Sequence, residues 1–235
     1  MTYSIRPIPL CKGPRDLSQY TFGTNFGKKC DSIWYTWYIE GSMPRTLIDT
    51  GAFDPGMQKL NTVEDGLAKL GTRLEDIEIV IVTHLHSDHI ALGYLYKNAK
   101  FIVQKKELDY ALKPHPLDAS FYTKHTFENL NMELIDGEKE IIPGVSVFLT
   151  PGHTPGGQSV EIKTAFGKVI VAGFCCQLAN FEQDEKMKDR NWEVTAPLIH
   201  QDVRQAYDSV LKVKHMGGTI IALHDSAFMW KDKIT

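Results

Sequence analysis

The sequence predicts an α+β fold in which two β-sheets pack face to face with helices outside them, an αββα four-layer sandwich. Three observations point to it. Two strand-rich stretches are each followed by a helical one, no Pro/Gly/Ser-rich linker separates them, and apolar runs at Ile79–Val82 and Thr219–Leu223 have the character of buried strands. With 235 residues, 43% of them hydrophobic and 23% charged, the chain has ordinary globular composition and reads as a single domain over residues 1–235.

Ser4–Leu10, Ile33–Glu40 and Thr46–Asp49 are β-rich runs divided by turn signals such as Gly41-Ser42-Met43-Pro44, and they read as antiparallel strands. Met57, Leu60, Val63, Leu67 and Leu70 recur at helical spacing and Gly71 supplies a stop, so a helix is predicted over Met57–Leu70. Ile79–Val82 ends at Thr83, directly before a histidine cluster. A short helix at Ala91–Tyr96 and a strand at Lys100–Val103 follow, then an irregular stretch from Lys105 to Asn131, containing Pro114 and Pro116, that reads as a lid or substrate wall. Strands resume at Met132–Ile135, Val145–Thr150, Ser159–Ile162 and Lys168–Ala172. The mixed charges of Glu182–Arg190 read as solvated surface, and Ala196–Lys214 as a helix stopped by Gly217-Gly218. Thr219–Leu223 then delivers His224 and Asp225 at its C-terminal end.

Charge and targeting signals narrow the function classes. The 26 Lys and Arg against 29 Asp and Glu give a net charge of -3, which offers no field to neutralise a phosphate backbone, so no nucleic-acid partner is expected. No run approaches the roughly 18 apolar residues of a membrane span, and MTYSIRPIPL lacks the apolar core and cleavage site of a secretory signal. The expectation is a cytoplasmic protein with no membrane partner, a small-molecule substrate, and a surface compatible with a homo-oligomer. Cys11, Cys30, Cys175 and Cys176 are too irregularly spaced for a disulfide framework and read as reduced thiols.

The segment His84-Leu85-His86-Ser87-Asp88-His89 places three imidazoles and a carboxylate on the turn leaving a buried strand. Those donors suit a borderline divalent cation such as zinc. In extended backbone His84 and His86 point the same way and can share an ion, while the following turn lets Asp88 and His89 face a neighbouring position. His153 lies in the rigid loop Pro151–Gly157 and His224 ends a strand, so both are further candidate ligands. His115, His125, His200 and His215 read as surface or hydrogen-bonding residues, with His115 and His125 in reach of substrate from the lid.

This set resembles the metallo-β-lactamase-fold hydrolase superfamily, whose HxHxDH loop, later loop histidine and final strand-end histidine match His84, His86, Asp88, His89, His153 and His224. Leu47-Ile48-Asp49-Thr50-Gly51 is similar to the family's early strand-to-loop element, in which the aspartate supports the metal loop from behind. GHTPGGQS, from Gly152 to Ser159, resembles the N-acyl-homoserine-lactonase branch. The resemblance implies the αββα sandwich of the metallo-β-lactamase type, one metal on His84, His86 and His153, and a second on Asp88, His89 and His224. The cofactor is then one or two Zn2+ ions, other divalent metals being compatible. Two positions depart from the family: Phe174 stands where a bridging aspartate is expected, and Gln177 where the lactonase branch has a tyrosine. A single metal, two metals without a bridge, or a thiolate from Cys175 or Cys176 would each accommodate the first departure, although the plain reading of those cysteines is as small buried hydrophobes.

Three protein ligands per ion leave open positions, where a bound water reaches a pKa near roughly 7 and supplies hydroxide to attack a carbonyl. The resemblance gives Asp88 the catalytic part, orienting that water and carrying a proton to the leaving group. The expected function is metal-dependent opening of a small cyclic ester of lactone type, with a cyclic amide or imide, or a thioester, as alternatives on the same site. A non-catalytic protein with a decayed site is motivated by Phe174 and opposed by the intact ligand-type residues. A di-iron redox version is opposed by His86 and Phe174. Trp34, Tyr94 and Tyr122 are candidate aromatic walls for the substrate.

Overall fold

A computed structural model describes residues 2–235. Its first sheet contains β1 (Ser4–Asp16), β2 (Lys29–Glu40), β3 (Thr46–Ile48), β4 (Gln58–Lys59), β5 (Ile79–Ile81), β6 (Lys100–Gln104) and β7 (Met132–Ile135), in the order β4-β1-β2-β3-β5-β6-β7. The second contains β8 (Lys139–Ile142), β9 (Val145–Leu149), β10 (Gln158–Thr164), β11 (Gly167–Ala172) and β12 (Thr219–Ala222), in the order β12-β11-β10-β9-β8. β1, β2 and β3 pair antiparallel, as their turn signals predict, whereas β3, β5, β6 and β7 run parallel. The helices are α1 (Val63–Ala68), α2 (Ser87–Ile90), α3 (Lys105–Ala111), α4 (Glu185–Asp189) and α5 (Val203–Met216).

Side-chain alternation builds the layers. Ile33, Tyr35, Trp37 and Ile39 of β2, Ile48 of β3, Ile81 of β5 and Ile102 of β6 face the second sheet in the main core. Their neighbours Tyr38, Leu47, Val80, Phe101 and Val103 face the opposite way, into a second core shared with Val63 and Leu67 of α1 and Ala111 of α3. On the far side, Val210 and Val213 of α5 join the core with β11, whose residues Val169–Ala172 are all buried. Each such aliphatic side chain contributes about 1.5–3 kcal/mol by leaving water, and β2, β5 and β6, apolar on both faces, place successive side chains in the two cores in turn. The expected αββα sandwich is borne out.

Several boundaries differ from the sequence reading, each for a local reason. β1 continues past Leu10 to Asp16 because β2 begins at Lys29 and pairs with it as far as Asp16, while the side away from β2, met by β4 only at Cys11 and Lys12, tolerates Pro7 and Pro9. The helix predicted from Met57 begins only at Val63. Thr62 caps it by accepting from Asp65 N at 3.1 Å, while Gln58 and Lys59 pair with β1 instead. In place of a helix over Ala91–Tyr96, α2 lies earlier and Gly93–Leu95 makes a 3-10 turn. The stretch read as irregular contains α3, the charged surface stretch contains α4 capped by Asp184, and β8 was not anticipated. The helix predicted from Ala196 starts at Val203, since Gln201 and Asp202 donate their amides to the Gly152 carbonyl at 2.8 and 3.1 Å.

Candidate metal centre

The parallel strands β3 and β5, neighbours in the middle of the first sheet, end side by side, and their continuations carry Asp49 and the segment His84–His89. In the second sheet, the turn between β9 and β10 carries His153 and the end of β12 carries His224. Close approach fixes the His153 turn. A Cβ on Gly152, at φ 116°, would lie 2.1 Å from Ala206 N of α5, and one on Gly156 would lie 2.2 Å from Glu107 N of α3.

These elements bring all six predicted ligand residues together as two adjacent clusters, His84 with His86 and His153, and Asp88 with His89 and His224. Within each cluster the donor atoms lie within 4.8 Å of one another. The rings of His84 and His89 are 4.1 Å apart, so the clusters share a border. Neither Cys175 nor Cys176 belongs to either.

Hydrogen-bond partners select the tautomers. His153 Nδ1 donates to the Ile199 carbonyl at 2.7 Å, and His224 Nδ1 is 3.3 Å from the Ile33 carbonyl. His89 Nδ1 donates to Asp49 Oδ2 at 2.8 Å. The Thr83 hydroxyl donates to the same Asp49 oxygen at 2.8 Å and is left to accept from His84 Nδ1 at 3.1 Å. Four imidazoles are thereby oriented with Nε2 inward. His84 Nε2 and His153 Nε2 stand 3.2 Å apart, and the buried Nε2 atoms of His89 and His224 make no hydrogen bond. Lone pairs converging without donors need positive charge between them, and this donor set fits a divalent cation.

Electrostatics repeat that demand. Burial, reinforced by neighbouring imidazoles, holds His84 and His86 well below the ordinary histidine range, and burial is also the main cause that takes His153 and His224 down to about 4. All four are neutral donors at neutral pH. Burial alone would lower His89, but Asp88 and Asp49 outweigh it and raise it to about 10, so that in the metal-free protein its Nε2 carries a proton that a bound cation would replace. Burial would likewise raise Asp88, yet His89 and His224 outweigh it and keep the carboxylate ionised, 3.3 Å from His89 Nε2 and 3.6 Å from His224 Nε2.

Two buried carboxylates hold the centre from behind. Asp49, at φ 56°, accepts Thr83 N at 2.7 Å as well as the Thr83 hydroxyl and His89, the supporting part the resemblance implied. Glu107 of α3 was missed by the sequence reading. It accepts Leu85 N at 2.9 Å and Gly156 N at 3.1 Å, tying the His84–His89 loop to the His153 loop. No local signal marks it, because both partners are remote in sequence.

A cavity of about 320 Å³ opens over the clusters, with Arg15, Gln19, Tyr20, Trp34, Phe121 and Cys175 in its wall. Trp34 lines it as proposed, and Tyr122 packs edge-on against His86 at 4.8 Å. Tyr94 is corrected: it is 64% exposed on a different surface depression, which His125 also lines. His115 bonds the Leu117 amide within its own turn and does not line the cavity. Phe174 is corrected too. It is buried in the main core, and the next residue, Cys175, is the one that lines the cavity. A Cβ on Gly173 would lie 1.6 Å from the Gln158 carbonyl oxygen, a contact that fixes the chain's path just before these residues.

A sequence model of the metallo-beta-lactamase superfamily matches residues 35–223. The chain belongs to that superfamily. Among its relatives, an N-acyl homoserine lactonase of Bacillus cereus is 27% identical over 166 residues, 71% of this chain and 61% of the relative. The N-acyl homoserine lactonase AiiA of Bacillus thuringiensis subsp. kurstaki is 28% identical over 178 residues, 75% of this chain and 65% of the relative. The chain thus spans under two thirds of the length of these curated relatives. A solved quorum-quenching N-acyl homoserine lactone lactonase superposes with a TM-score of 0.77 at 27% identity, covering 97% of this chain and 94% of the other. An N-acyl homoserine lactone hydrolase with N-hexanoyl-L-homoserine at its catalytic metal centre gives a TM-score of 0.76 at 25% identity, covering 97% and 95%. Among the described residues, no helix is long and apolar enough to cross a membrane.

Proposed function

We propose that this protein is a metal-dependent hydrolase that opens a small cyclic ester of lactone type, with residues 1–235 acting as one catalytic domain. The observation that carries the reading is the convergence of His84, His86 and His153, and of Asp88, His89 and His224, with imidazole nitrogens turned inward beneath an open cavity. The lactonases among its relatives, one with the ring-opened product at its metal centre, support the substrate class. Histidine and carboxylate donors favour zinc among divalent ions. The unpaired cysteines fit a reducing, cytoplasmic setting.

Bound at these clusters, the cation would lower the pKa of a water and polarise the ester carbonyl. The chain's own residues supply the rest. Asp88 is the one carboxylate lining the cavity among the described residues, and its ionised form can accept a hydrogen bond from the attacking water and pass a proton to the departing alkoxide. Asp49 holds His89 in register, and the Ile199 carbonyl does the same for His153. Trp34 and Phe121 give the ring an apolar wall that excludes water on one side.

The test measures turnover of lactones, cyclic amides and thioesters by metal-loaded protein alongside elemental analysis. Lactone hydrolysis with bound zinc, both lost in His86→Ala, is the expected result. Turnover confined to amides or thioesters would reassign the substrate, and unchanged metal content in His86→Ala would overturn the ligand assignment.

A further inference from the structure

Arg15, at the end of β1, is the only lysine or arginine lining the cavity among the described residues. It is half-buried, and its one hydrogen bond there runs to the adjacent Pro14 carbonyl at 3.0 Å. The guanidinium carries five N–H donors, so most of its donor capacity is unspent.

The carboxylates around it are committed elsewhere. Asp16, Asp31 and Asp225 share with Arg15 the surroundings of Cys30. Asp31 pairs with Lys12 at 2.8 Å, and Asp16 pairs with Lys29 at 3.5 Å while accepting from Ser18 and Gly27. Asp225 spends both oxygens on the amides of Leu178 and Ala227, each at 2.8 Å. None of the three forms an ion pair with Arg15. A guanidinium with no ion pair to any of these carboxylates, in the wall of a reaction cavity, has the chemistry of an anion anchor.

The wall near Arg15 agrees. Gln19, Ser32, Ser87 and Ser120 also line the cavity and make its wall polar. The apolar wall is confined to Trp34, Phe121 and Ile199 with parts of Tyr20 and Cys175, a short surface for a long hydrocarbon chain.

We propose that Arg15 binds an anionic group of the substrate, so that the ring ester opened here carries a carboxylate or a phosphate away from its scissile carbonyl. This rests on the lactone-hydrolase reading and deepens it. Water adds across the acyl C–O bond, the ring oxygen leaves as the alcohol, and one proton is released, so the product is a hydroxy acid with one negative charge more than the substrate. Arg15 holds the charge that is present before and after that step.

The experiment compares four five-membered lactones on the metal-loaded full chain: unsubstituted, bearing a ring carboxylate, bearing the methyl ester of that carboxylate, and bearing a phosphorylated hydroxymethyl group. The expected result is a kcat/KM for an anionic lactone about 10- to 100-fold above the methyl ester, chiefly through KM, as one charge-assisted pair provides. The carboxylate and phosphate arms identify which anion is read. In Arg15→Gln the ratio of anionic to neutral turnover falls towards 1, Arg15→Lys keeps part of it, and added salt compresses it in the wild type. A kcat/KM for both anionic lactones no higher than for the methyl ester in the wild type, or an anionic-to-neutral ratio unchanged in Arg15→Gln, would overturn the proposal. Should no lactone be turned over, the lactone reading fails. Calorimetric binding of the hydroxy-dicarboxylate product then judges Arg15 separately: equal affinity in wild type and Arg15→Gln removes the anchor, and at least about tenfold weaker binding in the variant retains it.

Discussion

Glu107→Gln tests whether the tie between the two ligand loops positions the metal centre. Glu107 accepts one backbone amide on each carboxylate oxygen, Leu85 N at 2.9 Å and Gly156 N at 3.1 Å, and all three groups are buried. Glutamine keeps one acceptor and replaces the other with a donor, so one buried N–H faces an NH2 group. An orphaned buried donor costs about 1–3 kcal/mol, and the surviving bond loses its charge assistance, about a further 1 kcal/mol. Relief of carboxyl burial, which raises the Glu107 pKa, offsets part of this. The net expectation is a destabilisation of about 1–3 kcal/mol, read by urea unfolding with an unchanged m value. Because Leu85 lies between His84 and His86, metal affinity measured against a chromophoric chelator should also weaken by about 10- to 100-fold. Stability within about 0.5 kcal/mol of wild type, together with unaltered metal affinity, would refute the positioning argument.

Exchanging residues at the end of β11 separates the core from the cavity. Phe174→Asp should cost about 3–5 kcal/mol by removing a core ring and burying a carboxylate, with no gain in metal content. Cys175→Asp should raise metal occupancy measured by elemental analysis, because that side chain faces the cavity. In metal-free protein, thermal or urea stability should fall as pH drops from 6.5 towards 4. Folded His153 and His224 stay neutral down to about 4 while the unfolded chain protonates near 6.5. Their full stabilising contribution is therefore present above 6.5, and the loss, at about 1.4 kcal/mol per pH unit, approaches about 3 kcal/mol for each at pH 4. Glu107 opposes this trend, since its raised pKa favours the folded state at lower pH, and a stability profile flat over this window would contradict the argument.

The candidate ligand residues were legible because their signal is local. His84, His86, Asp88 and His89 sit within one turn, and His153 is bounded by glycines and prolines whose stiffness shows in the sequence itself. The layer order was legible because two strand-rich stretches are each followed by a helical one and the unbroken apolar run through β5 marks a strand buried on both faces. What escaped notice depends on tertiary contact. Glu107 looks like any acidic residue of an amphipathic stretch until α3 is laid against two loops remote from it in the chain. Met57 keeps helical spacing with Leu60 but packs against Cys11, Sγ to Sδ 4.0 Å, which holds that segment against β1 and delays the helix. The family spacing put Phe174 at the metal, yet that ring packs in the core and the following residue faces the cavity. Composition gave no sign that Tyr94 would face solvent.

The His84–His89 segment hangs from the seven-stranded sheet, while His153 and His224 hang from the five-stranded one, and each donor cluster draws on both. An ion gripped by such a cluster would rivet the halves of the molecule, and prying them apart would have to release it. Durability would then be indexed to the supply of free ion, gaining about 2.7 kcal/mol where that supply stands a hundredfold above the dissociation constant. Starved of it, the molecule would shed longevity and chemistry together, so that its own abundance becomes a gauge of the metal around it.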